Sequence, residues 1–159
     1  MNIVEKKFYG INPRYLAQHE ALLKRFAQFG GGAEKEKFIK GRAFSNVYEF
    51  YMYAFFLGLY KNRAVEISEE DKLKDFWEIR NWQPSELVES LLVSAIAKSK
   101  FDMLLVQSLD KDSDITREIN KIKNTIESYA NGGFNYIAEE IENNPDGAEQ
   151  DDFFIKMLV

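Results

Sequence analysis

The segment that most constrains how this chain folds is residues 47–60, VYEFYMYAFFLGLY, which places aromatic side chains around almost every side of a helix. A helix that is apolar all round is usually buried at the centre of a protein. Exposed rings could instead stack on nucleic-acid bases, but no strand pattern or glycine presents them to solvent. We therefore predict a central helix with its rings in the core. Ala54 and Gly58, four residues apart, form a small-residue stripe where another helix could approach closely.

Two further helices are predicted on either side of this segment. Asn12 and Pro13 are typical of a helix start and predict a helix that runs through Phe26. Ser68, followed by three acidic residues, predicts a second, short helix over residues 68–79.

The second half of the chain also has the apolar spacing of helices. We predict helices over residues 85–98, 101–109, 113–129 and 134–141. Asn131-Gly132-Gly133 is typical of a helix end, so it should separate the last two. In the helix over 101–109, the residues predicted to face inward are Met103, Leu104 and Val106.

Together these elements predict an all-α fold, an irregular bundle of about six to eight helices. The 159 residues suit a single domain, residues 1–159. Three consecutive glycines and the charged stretch after them indicate a mobile basic loop near residues 30–43.

The sequence offers little for bond-making chemistry. It contains no cysteine, which excludes thiolate zinc sites, iron–sulfur clusters and cysteine nucleophiles. His19 is the sole histidine, and a lone helical histidine is more often a structural or surface residue than a catalytic one. We therefore expect no enzyme activity, no catalytic residue, no metal site and no cofactor. A carboxylate nuclease using Glu34 and Glu36 is a distant alternative.

Charge is distributed unevenly along the chain. Residues 1–63 hold 11 Lys and Arg but 5 Asp and Glu, although the whole chain has a net charge of −5. The halves could simply neutralise each other in one fold. The other interpretation is a local contact with phosphates. The candidate nucleic-acid-binding residues are then Lys35, Lys37, Lys40, Arg42, Lys61 and Arg63.

Two stretches are similar to a known family. They are residues 45–67, SNVYEFYMYAFFLGLYKNRAVEI, and residues 127–141, ESYANGGFNYIAEEI. Their order and spacing resembles the small proteins associated with bacterial DNA phosphorothioation systems, which place sulfur in the DNA backbone and restrict unmodified DNA. The resemblance covers residues 44–141. It implies an accessory role in DNA modification or restriction, and it transfers no catalytic residue.

Two functions follow from these observations. The first is an accessory, non-catalytic binding protein of a DNA modification or restriction system that contacts DNA or a larger subunit. The second is a protein–protein interaction subunit or homodimer, unrelated to nucleic acid, that uses the apolar tail of residues 153–159. The N-terminus lacks a signal-peptide pattern and the most apolar run is too short to span a bilayer. We therefore expect a cytoplasmic protein without a membrane partner.

Overall fold

The computed structural model describes residues 2–27 and 43–159 as one mostly helical body. The predicted helical fold is confirmed, with a small two-stranded sheet added to it. The loop expected near residues 30–43 lies outside the described residues, except for Ala43. In chain order the described elements are α1 (Ile3–Tyr9), β1 (Tyr15–Leu16), α2 (Glu20–Phe26), α3 (Val47–Tyr60), β2 (Leu73–Lys74), α4 (Ser85–Lys98), α5 (Met103–Gln107), α6 (Asp112–Asn143) and α7 (Phe153–Lys156).

The aromatic helix α3 lies at the centre of the molecule, as predicted. Phe50, Tyr51 and Phe55 have no solvent exposure. Only at the last turn does a large side chain emerge, since Tyr60 is 59% exposed. The rings of α3 therefore form the core, and the end of this helix presents an aromatic side chain to solvent.

The helices α3 and α6 approach each other at backbone contact distance. A Cβ atom on Gly58 would overlap the Tyr129 carbonyl of α6, and one on Gly133 would overlap the Ala54 carbonyl of α3. The small-residue stripe of α3 is thus a close helix crossing, as predicted, and α6 is the helix that uses it. Glycines on both helices allow this approach because they carry no side chain.

The predicted helix end at Asn131-Gly132-Gly133 is wrong, because α6 continues without a break through these residues. Both glycines are buried inside the helix. The Asn131 side chain donates to the Glu127 carbonyl at 2.8 Å, one turn earlier in the same helix. Asparagine and glycine are typical both of a helix end and of a close helix crossing. Here the packing of α6 against α3 favours the crossing.

The helix predicted from Asn12 through Phe26 begins later than expected. The chain first forms β1 and a 3-10 turn, Ala17–His19, and only then α2. The reason is a tertiary contact, since the Leu16 N–H donates to Oδ1 of Asn131 at 2.9 Å rather than within a helix. The sequence interpretation also missed α1.

The helix predicted over residues 68–79 is also wrong. In its place, Leu73–Lys74 pairs antiparallel with Tyr15–Leu16, and a 3-10 turn covers Ile79–Asn81. The Phe76 ring stacks on Tyr51 of α3, with ring centroids 5.5 Å apart. Packing of these aromatic residues against the core overrides the local helical pattern.

In α5 the predicted inward face is mostly wrong. Val106 is buried, but Met103 is 40% and Leu104 is 78% exposed. This helix has only five residues, so it contributes a single side chain to the core and presents its other apolar residues outward.

The C-terminal segment docks on the body of the protein. Phe153 and Met157 are buried, and the Tyr53 hydroxyl of α3 donates to the Phe154 carbonyl at 2.6 Å. Ile155 and Val159 remain exposed. None of the helices in the described part of the chain combines the length and hydropathy of a bilayer-spanning segment.

Candidate functional site

The structure describes two of the six predicted phosphate-contact residues. Lys61 and Arg63 lie directly after α3, in a described part of the chain. The other four lie outside the described residues: Lys35, Lys37, Lys40 and Arg42. The nuclease alternative at Glu34 and Glu36 falls outside them as well.

A tight turn at the end of α3 positions Lys61 and Arg63. Asn62 has a left-handed φ of 53°, which asparagine adopts more readily than most residues. The Arg63 N–H then donates to the Gly58 carbonyl at 2.8 Å. The Arg63 carbonyl passes so close to Gly132 of α6 that a Cβ atom there would overlap it. The glycine in α6 therefore fixes the backbone from which the arginine side chain extends.

The two cationic side chains converge on one aromatic ring of α6. The Lys61 Nζ lies 5.2 Å from the Tyr136 ring centroid, and the Arg63 Cζ lies 5.3 Å from it. Lys61 also lies over the Tyr60 ring, at 5.1 Å. We call these four residues the basic corner. Cations at this distance from a ring face are attracted by its quadrupole, so the rings hold both charges at the surface.

The basic corner is partly neutralised by α6. The Arg63 Nη2 pairs with the Glu139 carboxylate, and both side chains are about half exposed. Lys61 forms no ion pair with any described residue. The corner therefore offers one uncompensated ammonium and one guanidinium that a competing anion would have to share with Glu139.

A buried polar network that the sequence interpretation missed lies between the start of β1 and α6. Glu127 is 1% exposed and accepts from the Arg14 backbone N–H at 2.8 Å and from its Nε at 2.8 Å. A third bond comes from Nη2 at 3.1 Å. The Tyr51 hydroxyl and the Asn131 amide both donate to the Arg14 carbonyl, at 2.7 and 3.2 Å. Hydrogen bonding to Glu127 raises the pKa of the Arg14 guanidinium.

This network forms one wall of a cavity of about 550 Å³. Acidic side chains from the segment between α3 and β2 also line this cavity: Glu66, Glu69 and Asp71. An acidic lining repels phosphates, and the Glu127 carboxylate already accepts three hydrogen bonds from Arg14. The arrangement is that of a structural ion pair that fixes β1 on α6. The i, i+4 spacing of Glu127 and Asn131 within an apolar stripe is the sequence signal that could have indicated it.

His19 is buried, and its Nε2 has no hydrogen-bond partner among the described residues. Its ring lies 5.5 Å from that of Phe134. Burial lowers the pKa of His19 to about 4, while hydrogen bonding to Asn135 opposes the shift. The imidazole is therefore neutral at pH 7 and is packed as part of the core, not at the surface.

The buried imidazole makes stability depend on pH. Because its folded-state pKa lies below the unfolded value of 6.5, the unfolded state binds the proton first as pH falls. The free energy of unfolding should decrease from pH 6.5 towards pH 4, and at pH 5 the loss due to this group should be about 1 kcal/mol or more. Urea unfolding of wild type and His19→Gln across this range tests it. The carboxylates titrate in both proteins, so pH profiles of the same slope would contradict the prediction.

Three aspartates lie at helix starts. Asp112 and Asp114 lie in the first turn of α6, where negative charge favours the helix dipole. Asp152 is the N-cap residue of α7. Across residues 2–27 and 43–159, no group of three or more His, Asp and Glu side chains is arranged to hold a metal ion.

Comparison with known proteins adds no relative to these observations. No family model matches the chain, and neither a curated protein nor a solved structure is significantly similar to it.

Proposed function

We propose that this chain is a non-catalytic accessory protein of a DNA modification or restriction system, and that its basic corner contacts DNA phosphates. The observation that carries the proposal is the convergence of Lys61 and Arg63 on Tyr136 at the exposed end of α3. Because the sequence resembles proteins of DNA phosphorothioation systems, we propose a system of that kind.

The chemistry of the basic corner suits a phosphate backbone. Lysine and arginine side chains bind phosphates through charge and release of condensed counterions. The exposed Tyr60 ring offers a flat surface for a sugar or an unpaired base. Such contacts position a protein on nucleic acid without reading its sequence, which suits an accessory subunit.

The acidic remainder of the chain limits how DNA could lie on it. Because the chain has a net charge of −5, its overall charge repels a duplex, so the proposed contact must be local. Four further residues were predicted from the sequence to contribute to this DNA contact: Lys35, Lys37, Lys40 and Arg42. A local contact of this kind implies weak binding by the isolated chain, with the larger subunit supplying the remaining affinity.

The proposal predicts that Lys61→Ala together with Arg63→Ala weakens binding of a short DNA duplex about tenfold at low salt. The salt dependence of log K should become shallower by about one to two units, since about 0.9 is lost for each phosphate contact. Fluorescence anisotropy at several salt concentrations measures both quantities.

Lys98→Ala with Lys100→Ala is the matched control, because it removes the same charge from exposed positions beyond the corner. The proposal fails if the control weakens binding as much as the corner variant does. It also fails if wild type does not bind the duplex. The exposed apolar residues of α5, among them Leu104, would then favour the protein–protein alternative.

A further inference from the structure

A cleft of about 290 Å³ lies between α1 and α6 and shares no lining residue with the basic corner. Three lysines line it. Lys6 and Lys7 come from the last turn of α1, and Lys123 comes from the middle of α6. None of them belongs to the set of phosphate contacts predicted from the sequence, since their proximity depends on how α1 packs on α6.

Lys7 is held in place by α6. Its Nζ donates to the Thr116 hydroxyl at 2.8 Å and lies 3.1 Å from the Asp112 carboxylate. The Lys7 side chain is 22% exposed. One of the three ammonium groups is therefore fixed and has an acidic partner.

The other two lysines have no such partner. Among the residues that the structure describes, neither Lys6 nor Lys123 forms an ion pair or a side-chain hydrogen bond. The buried carboxylates of α6 are engaged elsewhere, because Glu127 pairs with Arg14 and Glu118 with Lys121. The cleft consequently keeps an excess of positive charge.

Two amide side chains add directional donors to this charge. Asn12 and Asn120 line the cleft, and neither side chain has a hydrogen-bond partner in the described part of the chain. Each amide offers two N–H donors. Ile11 and Ile119, 5% and 4% exposed, provide an apolar floor beside these donors, and a low local dielectric strengthens hydrogen bonds to an anion.

We propose that this cleft binds a single phosphate group. A phosphate with a free second ionisation carries about −1.5 to −2 charges at pH 7, and a backbone phosphodiester carries one, so the two ammonium groups of Lys6 and Lys123 suffice to neutralise either. Lysines contact phosphates as point charges, and the two asparagines fix the orientation. The cleft volume of about 290 Å³ lies just below the range of most ligand pockets, roughly 300–1,000 Å³, so it suits one phosphate with its waters. The phosphate is either free or part of a nucleic-acid backbone.

The test is a titration of the full ¹⁵N-labelled chain, first with inorganic phosphate and then with a short DNA duplex. Phosphate binding should shift the side-chain amide signals of Asn12 and Asn120. Lys6→Ala with Lys123→Ala should weaken that binding at least about tenfold, since two charge-assisted contacts are lost. Because neither lysine has a partner within the fold, the melting temperature of the variant should stay near that of wild type.

The outcomes identify the source of the phosphate. Shifts with inorganic phosphate that the double variant loses support a free phosphate ligand. If only the duplex produces such variant-sensitive shifts, the ligand is a backbone phosphate, and the cleft is then a second contact in the proposed DNA role. The inference is overturned if neither ligand shifts these signals, or if the shifts persist in the double variant. Lys98→Ala with Lys100→Ala should leave them unchanged.

Failure here is distinguishable from failure of the proposed function. The basic corner is tested with Lys61→Ala and Arg63→Ala, which leave every residue of the cleft intact. If duplex affinity falls in the corner variant but not in the cleft variant, the proposed function is supported without the cleft. If the duplex or phosphate response is lost only in the cleft variant, the cleft is supported without the corner.

Discussion

Replacing Gly133 with alanine should destabilise the protein by about 3 kcal/mol or more and lower its Tm by about 10 °C. In an isolated helix the same change would stabilise by about 1 kcal/mol, because alanine is the better helix former. Here the added Cβ would overlap the backbone carbonyl of Ala54. A backbone atom of the central helix cannot move aside as a side chain would. The two helices must separate, and the contacts between their buried rings are lost.

Thermal unfolding followed by circular dichroism measures this effect, with Gly10→Ala as the matched control. Gly10 has a φ of −84°, which any residue adopts. An added Cβ would lie 3.1 Å from the Lys6 carbonyl oxygen, so a shift of a few tenths of an ångström would be needed, far less than at Gly133. The stability of Gly10→Ala should change by less than about 1 kcal/mol, which corresponds to a Tm shift below about 4 °C. A Gly133→Ala protein with the Tm of wild type would refute the close crossing of α3 and α6.

The second large effect is expected from breaking the buried ion pair. Arg14→Met removes two of the three hydrogen bonds to Glu127 and leaves its carboxylate, 1% exposed, without a countercharge. Breaking one side of a buried pair costs about 3–5 kcal/mol. We expect a value near 3 kcal/mol, since water screens the exposed side of the Arg14 guanidinium. Urea unfolding gives the difference in free energy.

The double variant Arg14→Met with Glu127→Met separates the loss of the pair from the cost of an isolated charge. It should recover most of the stability, because methionine replaces both charges with apolar groups of similar length. Arg117→Met is a suitable control, since its pair with Asp114 is exposed and should contribute less than about 1 kcal/mol. If Arg14→Met alone is as stable as wild type, the network does not hold β1 on α6.

Local sequence patterns were sufficient to predict the helices whose buried faces are formed by residues close together in the sequence. The aromatic content of residues 47–60 was enough to place a buried central helix, and Ala54 with Gly58 predicted its close crossing. The i, i+3, i+4 apolar spacing likewise predicted α4 and the first half of α6. These predictions hold because a helix brings residues close in sequence onto one face.

Long-range contacts account for the elements that were predicted wrongly. The Leu16 N–H donates to the side chain of Asn131, 115 residues later, instead of to a helical carbonyl. A local sequence pattern does not contain that partner. The ion pair of Arg14 with Glu127 spans 113 residues. At Gly132 and Gly133 the sequence fits both a helix stop and a helix crossing, and only the position of α3 distinguishes them.

Long-range contacts also explain why only some residues of the candidate site were predicted from the sequence. Lys61 and Arg63 were identified from the density of basic residues, but their shared ring, Tyr136, becomes a neighbour only when α3 packs on α6. Whether this surface contacts DNA stays a prediction. The lysines of the cleft were overlooked because Lys6 and Lys123 are far apart in the sequence and meet only across two helices.

The unbroken course of α6 sets the relative orientation of the basic corner and the lysine-lined cleft. Asn120 in the cleft and Tyr136 in the basic corner are sixteen residues apart on one continuous rod, which corresponds to about 24 Å along its axis. At 3.6 residues per turn they also point about 160° away from each other. A straight duplex lying against one surface therefore faces away from the other. Engaging both requires either a polymer that bends around the rod or two separate ligands on opposite flanks.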